Sequence, residues 1–317
     1  MQRPSFDTSA PLQFVLNGKA GSSDSDDTQA AITSALDTAG RTGRIWVAGP
    51  GELERVTRDA TAQAQREHSA VVAVGGDGTI NTVAQVAHAT GCAMGVIPEG
   101  TFNFFAREHG APTEIDEALP WLLAGRPEPV QASAINERLF LVNASLGVYP
   151  ELLQDRERWQ ERLGRSRLIS LGAGMATLLR ARSPLRLQVA WEEKQRELRT
   201  LTLFVGNNRL QLEQLGLVDA EAVEREMAHV TAVILKPVGA VAMTGLMLRG
   251  AMGQLGGADG VDHFPCQELV IQPASAFGGR RMKVAYDGEV AWMKAPITIR
   301  VLPTPLWLLK TPQPRQS

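Results

Sequence analysis

Up to Pro129, apolar residues fall into short runs separated by stretches in which they recur every third or fourth place. Leu12–Leu16, Arg44–Val47, Val71–Val74 and Ala93–Ile97 have the length of strands. Between them, a Ser/Asp stretch leads into a helix beginning near Thr28, and a second helix spans Glu52 to Glu67. After Val74, Ile80, Val83, Ala84 and Ala87 stand at i, i+3, i+4 and i+7, which is one helix face. Strands and helices in alternation predict a mostly parallel sheet with helices on both faces, that is, an α/β, Rossmann-like domain.

Beyond Pro127-Glu-Pro129 the pattern changes. Strand-like runs appear at Leu139–Val142, Leu185–Trp191, Leu198–Val205, Val230–Leu235, Glu268–Gln272, Lys283–Tyr286 and Ile297–Leu302, and several alternate apolar with polar residues. Such alternation marks half-buried antiparallel strands. Two helical stretches interrupt them, Pro150–Arg180 and Val238–Leu255. The expected division is therefore an α/β domain over 1–129 and a β-rich, sandwich-like domain over 130–317 with a helical insertion.

The most informative segment is Val71-Val-Ala-Val-Gly-Gly-Asp-Gly-Thr-Ile-Asn81. A buried strand runs into Gly75, Gly76, Asp77 and Gly78, and a helix follows at once. Such a turn aims backbone N–H groups at an anion over the helix start. Glycine lets the main chain come close to a phosphate because no Cβ intervenes. An acid in that loop repels phosphate, so Asp77 makes sense if it works through a cation or takes a proton from an attacking hydroxyl. Neither better-known phosphate loop fits. No lysine follows the glycines as a P-loop requires, and Asn81 stands where the dinucleotide fingerprint needs its third glycine. Glycine-containing turns after Leu16, Val74 and Ile97 all belong at the carboxyl edge of the sheet, where ligands of such sheets bind.

Composition narrows the classes. A chain of 317 residues suits two domains of ordinary size. A formal net charge of −2 argues against a dedicated nucleic-acid binder. Cys92 and Cys266 are far apart with no C-x-x-C spacing, which fits a reducing compartment without structural zinc. The polar start Met1-Gln-Arg-Pro-Ser-Phe-Asp lacks the apolar core of a signal peptide, and no window has the uncharged length of a membrane span. A soluble, cytoplasmic protein is the expectation.

Taken together, Gly75-Gly-Asp-Gly-Thr-Ile-Asn81, Pro98-Glu-Gly-Thr-Phe-Asn103 and Asp287-Gly-Glu289 resemble the diacylglycerol kinase catalytic-domain family, most closely its bacterial soluble lipid-kinase branch. Asn17-Gly-Lys-Ala-Gly21 looks like that family's N-terminal turn, and Phe140-Leu-Val-Asn-Ala-Ser-Leu-Gly147 like its strand after the domain junction. The resemblance implies a nucleotide-binding first domain, a lipid-substrate second domain, and transfer of the γ-phosphoryl group of ATP to a lipid hydroxyl, with diacylglycerol or a related lipid as acceptor. It implies that Gly75, Gly76, Asp77, Gly78, Thr79, Ile80 and Asn81, with Gly100, Thr101 and Asn103, contact ATP and that Asn17 lies nearby. Glu289 takes the place of the family's proton acceptor, and Asp77 supports Mg2+ or shares that duty. Phosphoryl transfer needs positioned phosphates, a divalent cation and an acid near the nucleophile.

Plainer readings exist for each residue. Asp287-Gly288 is a common hairpin turn, Glu289 a solvated strand residue, Thr101 a helix cap, and Asn17 and Asn103 turn formers. His88 and His109 have no metal-ligand spacing. The chain also departs from the family: Phe104 stands where relatives often have Asp or His, Gln131 where they have an acid, and Asp219–His229 lacks an acidic Asp-Gly turn that helps hold a cation. The magnesium ligands are thus unassigned, and a regulator that binds nucleotide or lipid without turnover is one alternative. Another is an NAD kinase-like soluble-substrate enzyme, whose Asn-Asn-Glu signature is incomplete here because Arg209 follows Asn207-Asn208. The arginine-rich stretch Glu151–Arg186 reads either as a transient membrane-surface contact, peripheral to the inner face of the membrane, or as a salt-bridged helix pair. Ala242–Leu255 reads as an adaptable acyl pocket or as core.

Overall fold

The computed structural model describes residues 3–18, 22–147, 184–217, 228–239, 252–274 and 281–311, with 242, 243, 245, 246 and 249. The chain divides into two compact units, one holding residues up to Ala132 together with those from Leu302 onward, the other Ser133–Val301.

The first unit opens with β1 (Leu12–Asn17), α1 (Ser22–Thr38), β2 (Gly43–Ala48), α2 (Leu53–Arg66), β3 (Ala70–Gly75), α3 (Asp77–Thr90) and β4 (Ala93–Pro98). Then come α4 (Phe104–Glu108), α5 (Ile115–Ala124) and β5 (Arg126–Val130). Strands β1 to β4 pair in parallel, as the alternation predicts. Every residue of β3 and β4 is buried, and a strand covered on both faces must be apolar throughout. On one face Phe14, Val72, Val74 and Ile97 share a core with Ile32 and Leu36 of α1 and Leu119 and Leu122 of α5. On α2 the buried residues Val56, Thr57, Ala60, Thr61 and Ala64 form one stripe. Its outer face carries exposed pairs of Arg55 with Glu52 and Asp59, which add little stability. Gln13 is fully buried yet satisfied: its Nε2 donates to Glu67 Oε2 at 2.7 Å and its Oε1 accepts from Trp46 Nε1 at 3.0 Å.

The second unit contains β6 (Ser133–Ile135), β7 (Arg138–Phe140), β8 (Asn143–Gly147), β9 (Leu185–Trp191), β10 (Lys194–Thr200), β11 (Thr202–Gly206), α6 (Arg209–Gln214) and β12 (Val230–Leu235). It continues through β13 (Val261–Cys266), β14 (Glu268–Pro273), β15 (Arg281–Tyr286), β16 (Glu289–Lys294) and β17 (Ile297–Val301). These form two antiparallel sheets, ordered β10-β9-β14-β17-β6-β7 and β13-β12-β11-β8-β15-β16. Val189, Leu269, Ile271 and Ile299 of the first sheet share a core with Leu146, Leu203, Val205, Ala232 and Val284 of the second. That is a β-sandwich, as the alternating pattern implies.

Three features differ from the sequence reading. The last strand, β18 (Leu306–Lys310), which the division at 129/130 assigns to the second domain, pairs in parallel with β4 and antiparallel with β5 in the first sheet. Its Leu306-Trp-Leu-Leu309 run is buried throughout, as an inner position requires. Pro127 and Pro129, read as a junction, lie instead in β5 at the sheet edge, where the N–H groups that proline lacks are not needed by a further strand. The run Leu198–Val205, read as one strand, is two strands in different sheets. At its corner Thr200 Oγ1 donates to Thr202 O at 2.6 Å and Leu235 O at 2.8 Å. Gly147, at φ +100°, makes room there, since a Cβ would stand 2.3 Å from Leu201 O.

Of the two expected helical stretches, 150–180 lies outside the described residues and 238–255 does so in part. Among the described residues no helix is long and apolar enough to cross a membrane. Cys92 and Cys266 are free and buried.

His109 closes α4 with its ring edge-on to Phe105, centroids 4.7 Å apart. Burial, and then the charge of Lys310, push its imidazole down to about 4. The unfolded chain takes up this proton near 6.5 while the folded chain does not, so folding stability declines as pH falls from 6.5 towards 4. The loss expected at the lower end is on the order of 1–3 kcal/mol. Urea midpoints measured between about pH 7 and about pH 4.5 should fall less in a His109→Phe variant than in the parent. Parallel curves for the two proteins would refute this assignment.

Candidate active site

Two glycine turns meet at the carboxyl edge of the first sheet. Strand β3 ends at Gly75, whose φ of +150° and lack of a side chain leave room for Thr79, since a Cβ would lie 2.8 Å from Thr79 Oγ1. Gly76 is the N-cap of α3, and no side chain caps the helix. The first-turn N–H groups of Asp77, Gly78 and Thr79 are therefore presented together at the positive end of the helix dipole. After β4, Gly100 comes so close that a Cβ on it would lie 2.9 Å from Gly76 Cα and 3.5 Å from Asp77 N. Backbone meets backbone there. A third turn joins them through Asn17, at the end of β1, whose Nδ2 donates to Thr79 Oγ1 at 3.1 Å. Thr28 Oγ1 of α1 donates to Glu99 Oε1 at 2.7 Å and holds the second loop from outside.

Asp77 connects the two loops. The backbone N–H groups of Asn103 and Phe104 donate to its carboxylate, which thus serves the exposed donors at the start of α4. Its Oδ1 is buried without a partner. Burial holds the carboxyl above the usual range, and the two amides offset part of that rise. A buried carboxylate oxygen with nothing to bind is a place where a cation fits. Among the described residues, no three His, Cys, Asp or Glu gather around a common point.

The remaining expected contacts separate into those open to a ligand and those already engaged. Gly78 and Thr101 are exposed. Asn103, at φ 49°, spends its amide on the loop itself: its Oδ1 accepts from Gly100 N at 3.0 Å and its Nδ2 donates to Gly100 O at 2.8 Å. The N-cap of α4 is Asn103 rather than Thr101. Ile80 is buried in the core and its N–H donates to Gly76 O at 3.1 Å, so it holds the loop without offering a group to a ligand. Asn81 is partly buried one residue further along α3. Phe104, where the family often has a polar group, lies parallel to the exposed Phe102 with ring centroids 5.7 Å apart.

In the second unit, Tyr286 pairs with Glu289 across the two-residue turn Asp287-Gly288. Positive φ at both turn positions, 43° and 87°, is the signature of a type I′ hairpin. Glu289 is exposed, and burial and then the Glu289 charge push the neighbouring Tyr286 phenol above its ordinary value. Asp287 does more than turn the chain. Its Oδ2 accepts from Leu141 N at 2.7 Å, and its Oδ1 from Val142 N at 2.9 Å and Asn143 N at 3.1 Å. No spacing signals this, because partners and acid lie almost 150 residues apart. Asn207-Asn208, the partial NAD kinase signature, has structural duties. Asn207 accepts from Ser133 Oγ at 2.7 Å and donates to Leu141 O at 2.7 Å, while Asn208 Oδ1 caps α6 through Gln211 N at 2.8 Å. Part of the stretch read as an acyl pocket, with Ala242, Gly245, Leu246 and Arg249, lines a cavity of about 460 Å³ together with Lys236, Val238 and Ala258.

Residues 11–135 match the family described as the diacylglycerol kinase catalytic domain. The match takes in both glycine loops and the three sheet-edge turns. Among curated proteins, "Probable lipid kinase YegS" of Salmonella gallinarum is 29% identical over 62% of this chain and 65% of its own length. The match therefore spans slightly less than two thirds of that relative. "Probable lipid kinase YegS-like" of Cronobacter sakazakii is 31% identical over 44% of this chain and 46% of its own. Among solved structures, a "putative diacylglycerol kinase" from Bacillus anthracis str. Sterne aligns over 98% of this chain and 99% of that one, with a TM-score of 0.74 and 20% identity. At that identity the likeness establishes the fold.

Substitution at the glycines separates folding from binding. Gly100→Ala forces a Cβ against Gly76 backbone and should cost about 1–3 kcal/mol, seen as a lower Tm. At Gly78 a Cβ meets nothing within 4 Å, so Gly78→Ala should leave Tm unchanged or raise stability by about 0.5–1 kcal/mol. Were the phosphates of ATP to rest on the first-turn amides, the Tm rise they give should shrink in Gly78→Ala, because a side chain then stands where glycine lets main chain approach closely. An undiminished ATP response in Gly78→Ala would show that this loop is not where the triphosphate rests.

Proposed function

We propose that the protein is an ATP-dependent lipid kinase that transfers a γ-phosphoryl group to the hydroxyl of diacylglycerol or a related lipid. The observation that carries this reading is the contact between Gly76 and Gly100, inside the segment matched by the catalytic-domain family. Two loops whose backbones touch through glycine, under an uncapped helix start, suit the closely packed oxygens of a triphosphate. The names of the curated relatives favour a lipid acceptor.

In this reading Gly75, Gly76 and Gly78 let the main chain approach the phosphates, while Asp77, Gly78 and Thr79 offer N–H groups. Asn17 fixes Thr79 and so the first turn of α3. Asp77, through its unpartnered Oδ1, is the residue best suited to hold Mg2+, which would neutralise phosphate charge when bound. Glu289 accepts the proton of the lipid hydroxyl as its oxygen attacks phosphorus, and the bond to the bridging oxygen of ADP breaks. Ile80 and Asn103 contribute by shaping the loops. The exposed Phe102 and the cavity beside Leu246 are apolar surfaces compatible with a lipid acceptor. We further propose transient contact with a membrane surface, which a bilayer-borne substrate requires, from a cytoplasmic protein.

The test is phosphate transfer from labelled ATP, with magnesium, to mixed micelles containing diacylglycerol and other bacterial lipids. A labelled phospholipid is the expected product. Glu289→Gln should lower kcat by at least about a hundredfold while the ATP-induced rise in Tm persists. ATP binding with no labelled lipid from the parent protein would favour a non-catalytic regulator instead. Full activity in the variant would remove Glu289 from the chemistry.

A further inference from the structure

A two-residue I′ turn closes without help, and asparagine or glycine serves it as well as aspartate. Asp287 nevertheless binds its carboxylate to three consecutive main-chain amides, Leu141, Val142 and Asn143, at 2.7, 2.9 and 3.1 Å. Its own N–H donates to Asn143 O at 3.0 Å. A turn residue is thereby fixed at four points to a corner between β7 and β8. That corner is itself immobilised: Val142 O accepts from Asn207 N at 2.8 Å and Asn208 N at 3.1 Å, and Leu141 O accepts from Asn207 Nδ2 at 2.7 Å. Leu141 and Val142 are buried. Successive amides converging on a carboxylate make an anion nest, and charged acceptors form the stronger hydrogen bonds.

Such fixation exceeds what the turn needs, and its beneficiary is two residues away. The turn's exit direction sets where β16 starts, and Glu289 is its first residue. An exposed glutamate at a hairpin end would otherwise sweep through several rotamers. Here the Asp287 nest fixes the turn from which it leaves, with only Gly288 between them. We infer that Asp287 is a positioning residue for Glu289, acting through the amide nest of Leu141–Asn143 on the geometry of phosphoryl transfer and not on nucleotide binding. The inference rests on the proposed role of Glu289 as proton acceptor.

Asp287→Asn isolates the effect. Asparagine tolerates positive φ, so the turn survives, and its Oδ1 can still serve Val142 and Asn143. Its amide cannot accept from Leu141, so the nest loosens on one side. Displacement of a reacting group by about 1 Å can cost on the order of a hundredfold in rate. Expected is a kcat reduced by about tenfold or more with KM for ATP changed by less than about twofold, Asp287→Ala being lower still. In a Glu289→Gln background, Asp287→Asn should have little further effect on the residual kcat, because the group it positions is gone. Should Asp287→Ala fail to fold, the asparagine variant with a parental Tm carries the test. A parental kcat in Asp287→Asn, or losses that multiply with those of Glu289→Gln, would overturn the positioning role while leaving the kinase reading intact. Absence of any lipid phosphorylation by the parent protein would instead overturn that reading and this inference with it.

Discussion

The site in the first unit depends on one steric constraint: the main chain at Gly100 lies against the main chain at Gly76 with no space for a methyl group between them. Everything else around the two loops follows from maintaining that contact. Asn103 closes the second loop onto Gly100 by bonding both its N–H and its carbonyl. Asp77 reaches from the first loop to the amides at the start of α4. Thr79 packs into the volume that Gly75 leaves empty and is held there by Asn17. The loops are therefore a preorganised pair, and the amides at the start of α3 are held in place before any anion arrives. Preorganised dipoles cost no reorganisation when charge appears.

That arrangement also explains the acid among the glycines. A carboxylate near a phosphate site would be a liability if it pointed at the phosphate. Asp77 is instead turned towards two donors on the neighbouring loop, and burial raises its pKa. Half of it is structural, then, while Oδ1 stays unsatisfied. An unpaired buried oxygen costs about 1–3 kcal/mol, a penalty that a bound cation would relieve. The same economy appears in Asn17 and Asn103, whose side chains shape backbone for others to use. Sequence reasoning places all of them in the site but cannot tell which touch a ligand and which hold the residues that do.

The α/β half was legible because its strands are buried on both faces and its helices carry clean one-sided stripes, as β3 and α2 illustrate. The sandwich was legible as a class and less so in its joints. Leu198–Val205 reads as one strand because local hydrophobicity is continuous through Leu201, whereas the change of sheet is made by Thr200 hydrogen bonds and the absent side chain of Gly147. β18 belongs to the first sheet through pairing with β4 and β5, and no local pattern encodes partners so far away in the chain as Met94 is from Leu308. Pro127 and Pro129 look like a linker for the same reason that they suit an edge strand: both settings tolerate a missing N–H.

Asp287 marks the limit of motif reading most clearly. In sequence it is the first letter of a turn, and Gly288 supports that assignment fully. Only the fold shows that its carboxylate neutralises three main-chain donors of a corner that would otherwise be buried with N–H groups unpaired. The corner exists because β7 and β8 belong to different sheets, so the chain must break its ladder between Phe140 and Asn143. One aspartate thus answers two demands at once: it satisfies the amides freed by the crossing, and it anchors the turn from which Glu289 projects. A neutral turn former could meet neither demand as well, since a charged acceptor with two oxygens is needed to reach all three amides. The acid in the turn is therefore a consequence of sandwich topology, and the exposed glutamate beside it leaves a turn that is anchored by a constraint arising elsewhere in the fold.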